Sequence, residues 1–81
     1  MTDLSRTPPV VVDTRGMFCP VPIIKTSEAI RNLRSGGLVE VISDDPAIES
    51  DLPAWCKQTG NEFLGFADGE GDDYVGFVRA T

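Results

Sequence analysis

The segment Val10–Pro22, VVVDTRGMFCPVP, decides the fold. It opens with three β-branched residues, which favour a strand over Val10–Thr14. Pro20 and Pro22 would break the interior of a helix, but the first turn tolerates them because its N–H groups have no partner within the helix. The segment therefore predicts a strand, a short loop in which Gly16 is free to take a positive φ, and a helix that starts at Pro20.

The helix is predicted to run to Ser35, because Gly36 and Gly37 supply a stop. Its core-facing side chains recur at helical spacing, and they are Ile23, Thr26, Ile30 and Leu33. After the glycines, Leu38–Ser43 alternates between two sets of side chains and predicts a second strand.

The second half of the chain contains another helix within Ala47–Thr59, complicated by Pro53. The simplest interpretation is a loose turn through Glu49, followed by a helix that Asp51 caps and that holds Pro53 in its first turn. Gly60 ends this helix. Two strands are then predicted on either side of a polar hairpin loop, Glu62–Ala67 and Tyr74–Ala80.

The order β-α-β-α-β-β predicts an α/β two-layer sandwich, in which both helices pack on one face of a mixed four-stranded sheet. Helical crossovers imply parallel neighbours or near-neighbours, and the short last loop implies an antiparallel hairpin. Gly76 within the last strand marks a bulge or a close backbone approach. With 81 residues, we expect a flexible arm over residues 1–8 and one domain over residues 9–81.

Composition excludes several classes of function. The chain has no histidine, which rules out Ser-His and Cys-His nucleophile pairs, and its two cysteines leave too few ligands for structural zinc. We therefore expect no cofactor and no metal. A net charge of −6 disfavours direct binding of nucleic acid or of anionic membranes. With no signal-peptide pattern and no disulfide framework, we expect a cytoplasmic protein. We also expect a monomer.

Cys19 falls at the N-cap of the first helix or beside it, where the positive end of the helix dipole favours an anion. The N–H of Val21 is the best-placed donor to that anion, since the neighbouring prolines donate nothing, and Arg15 could add positive charge. The dipole contributes about 0.3–2 kcal/mol, which lowers a thiol pKa by roughly a unit or less. An activated thiol without a second catalytic group beside it indicates a protein that carries sulfur between enzymes.

The pattern Asp-x-Arg-Gly-x-x-Cys-Pro-x-Pro over Asp13–Pro22 resembles the signature of the TusA family of sulfur carriers, also called SirA-like. The likeness continues through Gly36-Gly37, Asp44-Asp45-Pro46 and Leu52–Cys56 to Gly60. It implies the fold of the C-terminal domain of translation initiation factor 3. It also implies a persulfide on Cys19, and the supporting residues are then Arg15, Gly16, Pro20, Val21 and Pro22. Asn61 is a departure, because many relatives have histidine at that position.

The resemblance also implies the partners. The sulfur donor would be a protein such as a cysteine desulfurase or a rhodanese-like protein. The acceptor would be a downstream protein in tRNA thiolation, molybdenum-cofactor metabolism or sulfur oxidation.

Two other interpretations stay open. Cys19 and Cys56 could form a thiol–disulfide redox switch, although no CxxC pair is present, or the chain could be a non-catalytic regulatory domain that binds through its acidic surface. We expect Cys56 to pack in the core, where a thiol behaves as a small hydrophobe. Met17 and Phe18 are either exposed beside Cys19, which would suit docking of partner enzymes, or buried against the first helix.

Overall fold

The computed structural model describes residues 10–18, 20–33, 36–69 and 71–81. The elements along the chain are β1 (Val10–Asp13), α1 (Val21–Arg31), β2 (Leu38–Ser43), α2 (Ile48–Thr59), β3 (Glu62–Asp68) and β4 (Tyr74–Arg79). This is the predicted β-α-β-α-β-β order. The predicted arm over residues 1–8 lies outside the described residues.

The four strands form one mixed sheet in the order β1-β2-β4-β3. β1 pairs with β2 in parallel, and β4 pairs with both β2 and β3 in antiparallel orientation. β2 and β3, which α2 connects, are therefore near-neighbours with β4 between them. The prediction of two helices on a mixed four-stranded sheet is confirmed.

The core lies between the sheet and the two helices. α2 presents a buried face at helical spacing, and β2 and β4 supply the facing strand residues. The buried apolar cluster consists of Val39, Val41, Ile48, Leu52, Cys56 and Val78. The predicted core-facing residues are also confirmed. Ile23 and Ile30 on α1, and Leu33 just beyond its end, pack against this cluster, and Thr26 is fully buried with its hydroxyl donating to the carbonyl of Pro22 at 2.8 Å.

α1 is shorter than the sequence predicts. It ends at Arg31, not at Ser35, which lies outside the described residues. The N–H of Asn32 reaches back only three residues, to the carbonyl of Ala29 at 3.2 Å, and the Asn32 side-chain amide donates to the carbonyl of Glu28 at 3.2 Å. These contacts satisfy carbonyls at the helix end before the glycine pair is reached.

α2 starts earlier than predicted, and Asp51 is not its cap. The helix begins at Ile48 with Ala47 as N-cap, so Pro53 lies inside it. Pro53 has no N–H to donate to the carbonyl of Glu49, which costs the helix one backbone bond. Burial of Ile48 and of Leu52, each worth about 1.5–3 kcal/mol, offsets this loss.

Gly76 marks a close approach and not a bulge. A Cβ added there would lie 2.6 Å from Cδ2 of Leu52 and 3.0 Å from Cε1 of Phe66. The irregularity of the sheet lies instead in β3, where the register shifts between Phe63 and Gly65. The absence of a side chain at position 76 is thus what allows α2 to pack on β4.

We predict that Gly76→Ala destabilises the protein by about 1–3 kcal/mol, because the added methyl group overpacks the contact with buried Leu52. Urea unfolding measures the change. Leu52→Val removes the δ carbons that the methyl group meets, so the two substitutions together should cost less than the sum of their separate effects. Strict additivity would contradict the packing argument.

Candidate functional site

The loop between β1 and α1 lies at the edge of the sheet where β1 and β2 both end. The β3–β4 hairpin reaches the same edge, since Tyr74 at the start of β4 pairs with Ser43 at the end of β2. The topology therefore brings together three separate connections: the β1–α1 loop, the β2–α2 connection and the hairpin loop.

The loop begins at Thr14, which is fully buried. Its backbone N–H and its hydroxyl both donate to the carbonyl oxygen of Ile42, each at 2.7 Å. The N–H of Met17 then returns to the carbonyl of Thr14 at 3.1 Å, which closes a turn. Within this turn Gly16 has the predicted positive φ, +80°, and its N–H donates to Oδ2 of Asp44 at 3.0 Å.

The Arg15 guanidinium is held by two carboxylates. Its Nε and Nη2 donate to Oδ1 and Oδ2 of Asp13 at 3.0 and 2.7 Å, and Nη1 lies 3.6 Å from Oδ2 of Asp73. The hydrogen bonds from Arg15 lower the pKa of Asp13 to about 2, and those to Asp13 raise the pKa of Arg15. The positive charge that Arg15 could add at the helix start is therefore balanced by these neighbours.

The two prolines stand at the head of α1, close to their predicted positions. Pro20, the predicted start of the helix, is its N-cap, so α1 begins one residue later, at Val21. Pro22 is the second residue of the helix. The carbonyl of Pro20 accepts the first helical bond, from the N–H of Ile24 at 3.1 Å, and Pro22 is buried. The prolines thus fix where the helix begins.

Cys19 lies outside the described residues, while its neighbours in the chain, Phe18 and Pro20, are described. The N–H of Val21 donates to the carbonyl of Phe18 at 2.9 Å. Among the described residues, this N–H is thus engaged in a hydrogen bond that closes the backbone ahead of the helix. The expectation that it is the best-placed donor for a sulfur anion at position 19 stays a prediction.

An apolar patch flanks the position of Cys19 in the chain. Phe18 is 76% exposed, Ile24 is 49% exposed and Val21 is 36% exposed. Val21 and Ile24 are three residues apart on α1 and so are neighbours on its surface. Of the two open alternatives for the loop, exposure holds for Phe18, whereas Met17 is half-buried.

An acidic cavity of about 540 Å³ borders the loop. Asp44 and Asp73, which contact Gly16 and Arg15, also line the cavity, together with Pro46, Phe66, Ala67, Gly71, Asp72 and Tyr74. In the part of the chain that the structure describes, no group of three acidic or sulfur side chains is arranged to hold a metal ion. In the sequence, Asp44 stands out only as part of the Asp44-Asp45-Pro46 stretch of the family resemblance, so its contact with Gly16 is a site feature that the sequence does not reveal.

The second thiol, Cys56, is 1% exposed within the core, as predicted. Burial raises its pKa to about 11. A thiol that is both neutral at physiological pH and shielded from solvent is a poor nucleophile.

Comparisons with known proteins give consistent matches. The family model described as Sulfurtransferase TusA matches residues 10–80. The sulfur carrier protein TusA of Pseudomonas putida strain W619 is 37% identical over 79 residues, which cover 98% of this chain and 95% of that protein. The sulfur carrier protein TusA of strain GB-1 is 42% identical over 64 residues, covering 79% of this chain and 78% of that protein.

A longer relative and a solved structure complete the comparison. YrkF of Bacillus subtilis is 39% identical over 70 residues, or 86% of this chain, but the match covers 37% of YrkF. The crystal structure of a SirA-like protein from Desulfitobacterium hafniense superposes with a TM-score of 0.78 at 22% identity, covering 88% of this chain and 96% of that one. At that identity the likeness concerns the fold. Within the described ranges, neither helix is long and apolar enough to cross a membrane.

We predict that Cys56 is alkylated about a hundredfold more slowly in the folded protein than in denaturant at pH 8. Burial raises its pKa from 9.0 to about 11, and at a pH below both values each pKa unit lowers the thiolate fraction about tenfold. The measurement uses iodoacetamide and intact mass spectrometry on a Cys19→Ser variant, so that only Cys56 reacts. Equal rates in the folded and denatured states would contradict the burial argument.

Proposed function

Because the chain belongs to the TusA family of sulfur carrier proteins, we propose that it accepts sulfur as a persulfide on Cys19 and passes it to an acceptor protein. The strongest observation in favour of this proposal is that the chain is anchored on both sides of position 19. The residues before it are anchored to the end of β2, and the residue after it is the N-cap of α1. In sequence, Cys19 therefore follows an anchored loop and precedes a fixed helix start, and the neighbouring residues Phe18 and Val21 are exposed and apolar.

The proposed reaction has two transfers of the same kind. The thiolate of Cys19 attacks the outer sulfur of a persulfide on the donor, the donor's S–S bond breaks, and the donor cysteine leaves as a thiolate. A nucleophile of the acceptor then attacks the outer sulfur of the Cys19 persulfide, and Cys19 leaves as a thiolate. Neither transfer needs an external oxidant or reductant, because the sulfane sulfur keeps its oxidation state.

The alternative, a redox switch that pairs Cys19 with Cys56, is less well supported. A resolving thiol must approach the other sulfur closely and ionise to react. Cys56 is buried in the core, and its pKa of about 11 keeps it neutral at physiological pH. A carrier that works through one thiol makes no demand on Cys56 beyond packing.

The partners of such a carrier are the donor and acceptor proteins, and we propose that they dock on the apolar patch. An exposed apolar surface beside a reactive residue favours protein contact. The net charge of −6 adds attraction to a basic partner surface and repels bare RNA. A donor such as a cysteine desulfurase or a rhodanese-like protein, acting on a monomer in the reducing cytoplasm, fits these requirements.

We predict that wild-type protein gains the mass of one sulfur atom on Cys19 when it is incubated with a cysteine desulfurase and cysteine, or with a rhodanese and thiosulfate. Cys56→Ser should load equally, because the proposed transfer needs one thiol. Cys19→Ser should load no sulfur. Intact mass spectrometry under non-reducing conditions, followed by peptide mapping, measures the result.

The same spectra separate the alternatives. If the protein is a redox switch, its oxidised form loses the mass of two hydrogens as a Cys19–Cys56 disulfide forms. This change in mass would not occur in Cys56→Ser. Absence of loading from both donors, or loading at a site other than Cys19, contradicts the carrier proposal.

We predict that Phe18→Ser lowers kcat/KM for loading from the enzymatic donor by about tenfold, since exposed aromatic residues at the centre of an interface carry a large share of the binding energy. Alkylation of Cys19 by iodoacetamide, which needs no docking, should change less than twofold. Leu64→Ser is the matched control, because Leu64 is also exposed, at 43%, but lies on the opposite edge strand. Equal losses in both variants would contradict docking on the apolar patch.

A further inference from the structure

The end of β2 holds the loop before α1 at two points. At the first, the backbone N–H and the hydroxyl of Thr14 both use the carbonyl of Ile42. At the second, the N–H of Gly16 uses the side chain of Asp44, at 3.0 Å. The first contact has a backbone acceptor, so it survives most substitutions of Ile42. The second depends entirely on the Asp44 carboxylate.

Gly16 is the residue at which an external tether has the largest effect. It adopts φ +80°, and a glycine rotates more freely than any other residue. Within the turn, the other hydrogen bonds from backbone N–H groups among the described residues are local: Met17 donates to the carbonyl of Thr14, and Arg15 donates to Oδ1 of Asp13 at 3.1 Å. Asp44 therefore restricts the backbone three residues before Cys19, at the most permissive point of the loop.

Asp44 differs from the other carboxylates nearby because it ties the loop to a distant part of the chain. Asp73 contacts the side chain of Arg15. Asp13 holds that side chain and also accepts from the backbone N–H of Arg15 at 3.1 Å, but it lies two residues away in the same segment. Asp44 binds a backbone amide 28 residues away, so it fixes the path of the loop relative to the end of β2. The oxygen that accepts the Gly16 N–H belongs to a carboxylate, which binds an N–H more strongly than a neutral oxygen does.

We propose that Asp44 is a positioning residue for sulfur transfer: by binding the N–H of Gly16 it orients the loop that leads into Cys19. The inference rests on the proposed function, since it concerns the same thiol. Transfer between two proteins requires the attacking sulfur to lie in a narrow range of distance and angle to the donor's persulfide. A loosened loop would meet this requirement less often, even with the partner fully bound.

Loss of the Asp44–Gly16 hydrogen bond should therefore lower the rate of sulfur transfer at saturating donor. It should not change the intrinsic reactivity of the thiol. Asp44→Ala removes the acceptor and the charge, whereas Asp44→Asn removes the charge and keeps an amide oxygen that can accept from Gly16. The difference between these two variants isolates the hydrogen bond. Asp72→Ala is the charge control, because Asp72 lines the same cavity and makes no hydrogen bond to the loop in the described part of the chain.

Amide hydrogen exchange at Gly16, measured by NMR, reports the tether directly. We expect exchange at Gly16 to be about fivefold faster in Asp44→Ala than in Asp44→Asn, as the loss of one exposed hydrogen bond implies. The loading rate of Cys19 from a cysteine desulfurase, at saturating enzyme and cysteine, should be about fivefold to tenfold lower in Asp44→Ala than in Asp44→Asn. The urea midpoint should differ little between the two, and Asp72→Ala should match wild type within twofold.

Three outcomes overturn the inference. Equal losses in Asp44→Ala and Asp44→Asn would assign the effect to charge. Faster exchange at Gly16 with normal loading would show that the tether does not position the thiol, and unchanged exchange would show that there is no tether. Failure of the wild-type protein to load contradicts the carrier function itself, whereas loading that is normal in both wild type and Asp44→Ala contradicts only the role of Asp44.

Discussion

The carbonyl oxygen of Ile42 accepts two hydrogen bonds from Thr14, and the arrangement of the β1–α1 loop depends on this contact. β1 pairs with β2 in parallel up to Asp13 opposite Ile42, so the Thr14 N–H extends the ladder one step beyond the strand. The side chain of Thr14 has no exposure, so its hydroxyl must find a partner inside the protein. An unsatisfied buried hydroxyl costs about 1–3 kcal/mol, which ties the end of β1 to one place on β2. Gly16 can then reverse the chain toward α1 from a fixed starting point.

The parts of this arrangement that the sequence predicts are those governed by local backbone chemistry. Pro20 and Pro22 locate the start of α1 because a missing N–H is tolerated only there. Gly16 predicts a positive φ, and the alternation of Leu38–Ser43 predicts a strand of those same bounds. The element order then restricts the sheet to a few topologies, because crossovers and hairpins have preferred pairings.

The parts that the sequence does not predict depend on residues far apart in the chain. Local rules place the start of α2 after Asp51, but burial of Ile48 against the sheet moves the start to Ile48, which leaves Pro53 inside the helix. The Asp44–Gly16 bond and the Arg15–Asp73 contact exist because three separate connections meet at one sheet edge. No spacing rule within any one of them signals this meeting. A family pattern marks Asp44 as notable, but only its hydrogen bond gives it a physical task.

Under the proposed function, we expect the balance of charge at this edge to limit the activation of Cys19, and a moderate limit suits a carrier. The hydrogen bonds from Arg15 lower the pKa of Asp13 from 3.8 to about 2, so Asp13 stays ionised until the pH falls to about 2. The charge of Arg15 is therefore compensated by Asp13 at neutral pH. The N–H of Val21 is also occupied. The dipole of α1, worth about 0.3–1 kcal/mol at an exposed terminus, is then the main favourable contribution to an anion at its start, and the nearby carboxylates oppose it. Accepting sulfur favours a nucleophilic thiolate, while releasing it favours a thiol of low pKa as leaving group, and nucleophilicity falls as pKa falls. A weakly activated thiol would therefore serve both of the proposed transfers, and precise placement of the sulfur would then have to supply the rate that strong activation does not.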